Sequence, residues 1–293
     1  MVRWEDGRRS DNVEDRRGQK MPRGAAIGGG GLLLVLLVFI LSGGDFNKAL
    51  KLFVQQQQQQ VNMPDAGDVG PASPEEEQLF DMASVILADT EDVWGDLFPR
   101  AFGQDYEPPK MVVFRDQTQT GCGVGQASMG PFYCPADECV YIDLEFFDEL
   151  DRRFGAPGDF AQAYVIAHEV GHHVQNQLGI SDQVHRAQQA MSEVEGNQLS
   201  VRLELQADYL AGVWAHHAQR ARNILEEGDV EEGLRAANAI GDDTLQRQAT
   251  GRVFQEKFTH GSSEQRVRWY KKGMQTGKVS PEILEEFFSS NSL

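Results

Sequence analysis

From Ser73 onward the chain moves between two hydrophobic periods, and the switch between them marks its elements. In "SPEEEQLFDMASVILADTEDVWGDLF", Leu79, Ala83, Ile86, Val93, Trp94, Leu97 and Phe98 recur at helical spacing. Ser73 as N-cap, Pro74 at the first helical position and Glu76 placed to close a capping box predict where that helix starts. The period then shortens: "KMVVFRD" (110–116) and "CVYIDLEFF" (139–147) read as strands, with "GPFYCP" (130–135) a short strand between turn signals. "DLEFFDELDRRF" turns helical and "GAPGD" breaks it. After Asp159 the pattern is helical over 159–178, 196–222, 229–239, 263–276 and 281–288. Strands followed by helices predict an α+β domain over 73–293, mostly helical with a small β-sheet.

Upstream, "GAAIGGGGLLLVLLVFILSGG" (24–44) is uncharged between Arg23 and Asp45. As a helix it would reach roughly 31 Å, the thickness of a bilayer's hydrocarbon core. No polar face interrupts it, which sets it apart from a buried core helix. It reads as a transmembrane helix or as a signal peptide cut near Ser42-Gly43-Gly44, and the long charged stretch before it favours the uncleaved anchor. Residues 1–23 hold seven Lys/Arg against five acids, and Arg16, Arg17, Lys20 and Arg23 have no acid among them. By the positive-inside rule they form a cytoplasmic basic segment, and everything after Asp45 lies across the membrane. Residues 45–72, with Gln55–Gln60 and "NMPDAGDVGPAS", read as a flexible tether.

Composition narrows the function. A net charge of −18 over 293 residues repels phosphate backbones and excludes a nucleic-acid partner. The three cysteines, Cys122, Cys134 and Cys139, lie in one stretch. Outside the cytoplasm Cys122 can form a local disulfide with Cys134 or with Cys139. A zinc site built from all three lacks the usual CxxC pair.

The chemistry concentrates in "DFAQAYVIAHEVGHHVQNQLG". On a helix capped at Asp159 and ended at Gly179, His168 and His172 stand four apart on one face and can share a metal ion. Glu169 follows His168, giving HExxH. Zinc with three protein ligands lowers the pKa of a water it holds to about 7, and such a glutamate accepts the water's proton and passes it to the departing amine. The competing reading is a buried helix with satisfied histidines. A third ligand comes from "VRLELQADYLAGVWAHH", where Glu204 and Asp208 again share a face amid apolar neighbours. Glu204 completes the metal site; Asp208 accepts from the free N–H of a liganding histidine, most simply His168. His173 projects about 100° away from the metal face. His216 and His217 sit near a helix C-terminus, where the dipole favours them.

"VIAHEVGHHVQN" and "ELQADYLAGVWAHH", with "MGPFYCPADECVYID" before them and "FTHGSSEQRVRW" after, resemble the bacterial putative neutral zinc metallopeptidase family. "RWEDGRRSDNVEDRRG" and the glycine-rich apolar segment resemble it too, so the likeness covers nearly the whole chain. It implies a gluzincin-like zincin fold with a small mixed sheet above the HExxH helix, zinc (one Zn2+ per chain) on His168, His172 and Glu204, and Glu169 as base. "THGSSEQR" is similar to the THP-x-x-x-R element of membrane-associated gluzincins, with Gly261 in place of the proline. That likeness makes His260 and Arg266 candidates for holding the oxyanion; otherwise Ser262 is an N-cap and Arg266 merely lies on its helix. Residues near Ala127–Phe132 would line the cleft, beside an edge strand that takes an extended substrate, or else form an ordinary hairpin.

The expectation is a single-pass protein of the bacterial inner membrane. Residues 24–44 cross the bilayer, and a zinc endopeptidase domain acts on peptides or proteins on the periplasmic or extracellular side. The alternative is a zinc-bearing scaffold that no longer cleaves.

Overall fold

Helix α1 (Pro74–Phe102) starts at the predicted cap, with the Ser73 hydroxyl accepting from the Glu76 N–H. Glu76 does not fold back to close a capping box. Its carboxylate goes to Arg115, whose Nε donates at 2.9 Å, because a charged two-point partner outcompetes a single backbone N–H. The computed structural model describes residues 3–19, 71–152 and 155–289. The apolar run 24–44, and the tether as far as residue 70, lie outside the described residues. Among the described residues, no helix is long and apolar enough to cross a membrane.

Four strands make the main sheet, in the order β1 (Val13–Asp15), β2 (Lys110–Phe114), β6 (Cys139–Asp143), β5 (Phe132–Cys134). β1, β2 and β6 are parallel, with Val13 opposite Met111 and Val112 opposite Tyr141. β5 runs antiparallel along β6, with Phe132 opposite Tyr141. A separate polar hairpin, β3 (Gln117–Thr120) and β4 (Gly123–Gln126), is tied to β5 by the disulfide Cys122–Cys134. Cys139 is buried with a free thiol.

β1 overturns one boundary. Residues 1–23 were expected to be a separate basic segment, yet Met1–Arg16 and Ser73–Leu293 form one compact unit, distinct from Arg17–Ala72. Backbone pairing is the cause. Met111 N–H donates to Asn12 O at 2.9 Å, and Arg16 N–H donates to Val113 O at 2.7 Å. Two of the seven basic residues counted in that segment are engaged with α1, Arg8 on Glu91 and Asp92 and Arg9 on Asp81.

Both faces of the sheet are covered, as apolar residues at consecutive positions of β2 require. Met111, Val113, Val140 and Ile142 face the helical core, while Val112, Phe114 and Tyr141 pack with Phe132 on the other side. The helices are α2 (Glu145–Arg152), α3 (Asp159–Gln177), α4 (Ile180–Gln188), α5 (Glu193–Arg222), α6 (Asp229–Ala239), α7 (Asp242–Thr250), α8 (Ser263–Thr276) and α9 (Pro281–Ser289). α5 and α8 cross in backbone contact, since a β-carbon at Gly212 would land on the Tyr270 carbonyl oxygen and one at Gly273 on that of Tyr209. α3 meets α5 at Gly171, where an added β-carbon would lie 3.0 Å from Ala207 O. These two close approaches bring α3, α5 and α8 together at one point. The domain is mostly helical with a small mixed sheet, an α+β fold as expected.

Candidate metal centre

α3 carries His168, Glu169 and His172 toward α5, which presents Glu204 and Asp208 one turn apart. The imidazole nitrogens of His168 and His172 and a carboxylate oxygen of Glu204 all lie within 4.8 Å of one another. His168 Nε2 is 3.2 Å from Glu204 Oε2, and His172 Nε2 is 3.4 Å from Glu204 Oε1. Each ring is aimed by its other nitrogen. His168 Nδ1 lies 2.9 Å from Asp208 Oδ1, so its N–H points to that carboxylate. His172 Nδ1 donates to Gln175 Oε1 at 2.8 Å. Both tautomers therefore leave Nε2 for the shared point. Two imidazoles and a carboxylate are a donor set that zinc takes, so the residues fit the ion that the HExxH pattern implies.

The electrostatics agree. Burial opposes charge on His168, but Asp208 and Glu204 overcome it and raise its pKa to about 10. His172 is likewise raised against the effect of burial, by Glu204. Burial pushes the Glu204 carboxyl up, and the two imidazoles more than reverse that, holding it well below the usual carboxylate range. A pocket that draws protons this strongly is one that stabilises a cation.

Behind the candidate ligands lies a second set of contacts, only part of which the sequence announced. Asp208 accepts from Tyr164 OH at 2.5 Å, from Arg266 Nε at 2.8 Å and from the Arg266 terminal nitrogen at 2.9 Å, besides His168. Against burial, Arg266 and His168 bring the Asp208 pKa down to about 2. Arg266 is 2% exposed and also donates to Ile240 O, so its guanidinium serves Asp208. Tyr164 sits four residues before His168 on the same helical face, a spacing that could have flagged it. Gln175 is fully buried; its amide donates to Leu203 O and to Gln206 Oε1, and Gln206 in turn donates to Leu284 O on α9. Nothing in the sequence pattern singles out that relay.

His260 reaches the cleft from the loop before α8 and its side chain is half exposed. Asp242 holds this loop by accepting from the N–H groups of Thr259, His260 and Gly261 at 2.7, 2.6 and 3.1 Å. The same carboxylate, 3.3 Å from His260 Nδ1, raises the imidazole's pKa. Gly261 has φ +92°, which proline cannot adopt, so the proline of a THP-x-x-x-R element would not fit at this position. Ser262 caps α8 in a capping box with Gln265. His173 faces elsewhere, accepting from Tyr133 OH at 3.0 Å and donating to Glu107 O at 2.6 Å, and so ties α3 to β5. His216 and His217 donate to Met274 O and Gly277 O at the end of α8.

The three candidate ligands open on a cleft of about 1000 Å³. Glu169, 8% exposed, lines it beside His168 and His172. Ser128–Tyr133 form one wall, so β5 and the turn before it border the metal point; Leu203, Leu245 and Phe146 supply apolar surface.

The profile of the family described as putative neutral zinc metallopeptidase matches residues 2–282. This chain belongs to that family. The uncharacterized protein YpfJ of Escherichia coli K12 is 49% identical over 287 residues, covering 94% of this chain and 96% of its own length. The uncharacterized protein Rv2575 of Mycobacterium tuberculosis H37Rv is 43% identical over 209 residues, covering 68% of this chain and 67% of its own. No solved structure matches the chain.

Proposed function

We propose that the protein is a membrane-attached zinc endopeptidase that hydrolyses peptide bonds in peptide or protein substrates. The observation that carries this reading is the convergence of His168, His172 and Glu204 within 4.8 Å at a cleft that Glu169 also lines. Zinc held by these three residues supplies a Lewis acid that polarises a carbonyl and lowers the pKa of water. Glu169 is the general base: it takes a proton from the attacking water and returns it to the leaving amine. His260, whose imidazole Asp242 makes easier to protonate, donates to the oxyanion that develops on the scissile carbonyl. Arg266 acts at one remove as a positioning residue, by fixing Asp208 and through it His168. β5, paired on one side by β6, offers its other edge to an extended substrate backbone.

The proposed setting is a bacterial cytoplasmic membrane, with lipid contacted through residues 24–44. The Cys122–Cys134 disulfide supports an oxidising compartment for the domain.

The test compares wild type with Glu169→Gln for zinc content by mass spectrometry and for cleavage of a broad peptide library. One zinc in each, cleavage by wild type and a loss of about 10²–10⁴-fold in the variant is the expected result. Zinc in both with no peptide cut by either would retire the enzyme reading in favour of a scaffold. Glu204→Ala is expected to lose zinc; full retention would remove it from the ligand set.

A further inference from the structure

We infer that the two parts of the chain on either side of the apolar run 24–44, residues 3–16 and 73–289, lie on one face of the membrane, an inference that rests on the membrane attachment proposed above. The inference is independent of the chemistry at the metal centre.

Residues 3–16 are built into the domain that resumes at Ser73. Val13, Glu14 and Asp15 pair in parallel with Met111, Val112 and Val113. Further back, Ser10 N–H donates to Ser84 O at 3.1 Å and Arg3 N–H donates to Ile224 O at 2.9 Å. Trp4 is buried in the main core, and Glu91 on α1 takes hydrogen bonds from Arg8, Ser10 and Asn12. One crossing between Arg16 and Ser73 would put β1 and the other three strands of this sheet on opposite sides of a bilayer and strip β2 of one of its two partners.

The ends of the excursion also leave from one place. Arg16 N–H is bonded to Val113 O, and two residues along β2's exit Arg115 binds Glu76, in the first turn after Ser73. Both stems therefore start at the same end of β2. A crossing with a return would need a second span in residues 45–72, but that stretch carries Asp45, Lys48, Lys51, Asp65 and Asp68 besides six consecutive glutamines, and charges at bilayer depth are strongly disfavoured. Basic residues flank the run on both sides, Lys20 and Arg23 before it and Lys48 and Lys51 after it. Anionic headgroups of one leaflet attract both ends.

The test uses the full chain in its membrane. In a Cys139→Ser background, which leaves the Cys122–Cys134 disulfide intact, a single cysteine replaces Asp11 or Asp105, both exposed. Each variant is treated with a membrane-impermeant maleimide before and after spheroplast lysis. The expected result is a like response: both sites labelled in intact spheroplasts, or both only after lysis. The second pattern would keep the shared face while retiring the periplasmic placement proposed above. Labelling of Asp105→Cys but not Asp11→Cys in intact spheroplasts, or the reverse, would overturn the inference, as would recovery of the protein in the soluble fraction. Val13→Cys with Met111→Cys gives a check that does not depend on reagent access. An oxidant should cross-link the pair in native membranes, and failure to cross-link beside unlike labelling would show that β1 is detached there.

Discussion

Asp208 is fully buried and charged, a state tolerable only when its lone pairs are engaged. Here Tyr164, Arg266 and His168 engage them, and the result is an imidazole that cannot rotate away from Glu204. Arg266 and Tyr164 should therefore register as stability before they register as catalysis. Arg266→Met is expected to cost about 3–5 kcal/mol, read as a lower urea midpoint, because it leaves a carboxylate in the core with its main partner gone. Tyr164→Phe, which removes one hydroxyl, should cost about 1 kcal/mol. If Arg266→Met instead lowered kcat and left the midpoint unmoved, the guanidinium would be acting on substrate. The His168–His172 and Glu204–Asp208 pairs were legible in the sequence because i, i+4 spacing is a property of the helix alone. Arg266 was visible only as a resemblance, since its target lies on another helix. Gln175 and Asp242 were invisible, because a buried amide and a loop-bracing carboxylate have no fixed sequence offset from what they support.

At the scale of elements, α3, α5 and α8 converge through glycines, and the separation of those helices sets where Glu204 and Arg266 stand relative to the histidines. Two alanine substitutions should report this in graded fashion. Gly171→Ala asks Ala207 to yield by a few tenths of an ångström and is expected to cost about 1 kcal/mol. Gly212→Ala drives a methyl onto a backbone carbonyl that cannot move alone, and should cost about 3 kcal/mol. Chemical denaturation of both checks the order; equal, negligible losses would mean the helices are not in backbone contact. The long helices were legible wherever one face is apolar. α5 begins at Glu193, three residues before the expected start, because its first turn is exposed and carries a capping box without an apolar periodicity. α4 and α7 each bury a single residue, Val184 and Asp242, so no hydrophobic pattern could announce them. The β3–β4 hairpin has one large apolar side chain, the exposed Val124, and rests on its turn and disulfide.

Across the whole molecule, one buried charge joins distant parts and sets a pH response. Asp89 on α1 is 2% exposed; burial raises its pKa from an ordinary 3.8 to about 6, although Arg222 at the end of α5 pulls the other way. The folded state thus holds this proton more tightly than the unfolded chain. Between pH 4 and 6 the residue subtracts stability as pH rises, roughly 3 kcal/mol in all, and its effect is constant above that. Asp89→Asn should remove that slope, so the variant minus wild-type difference in unfolding free energy should grow from pH 4 to pH 6 and then level off. A difference that is flat over this window would place the Asp89 titration elsewhere. The general architecture, helices around a small sheet, could be read from the order of periods. The membership of residues 3–16 could not, for "VED" has neither apolar alternation nor turn signals and becomes a strand only because β2 offers it an edge.

That first strand also imposes an order of events on biosynthesis. Val13 leaves the ribosome nearly one hundred residues before its partner Met111. At about 5–20 residues per second, the opening segment waits roughly 5–20 s for its partner. During that wait the apolar stretch at 32–41 has already emerged. Lipid contact, if it comes first, must leave the opening strand on the side where the rest of the sheet will later be made.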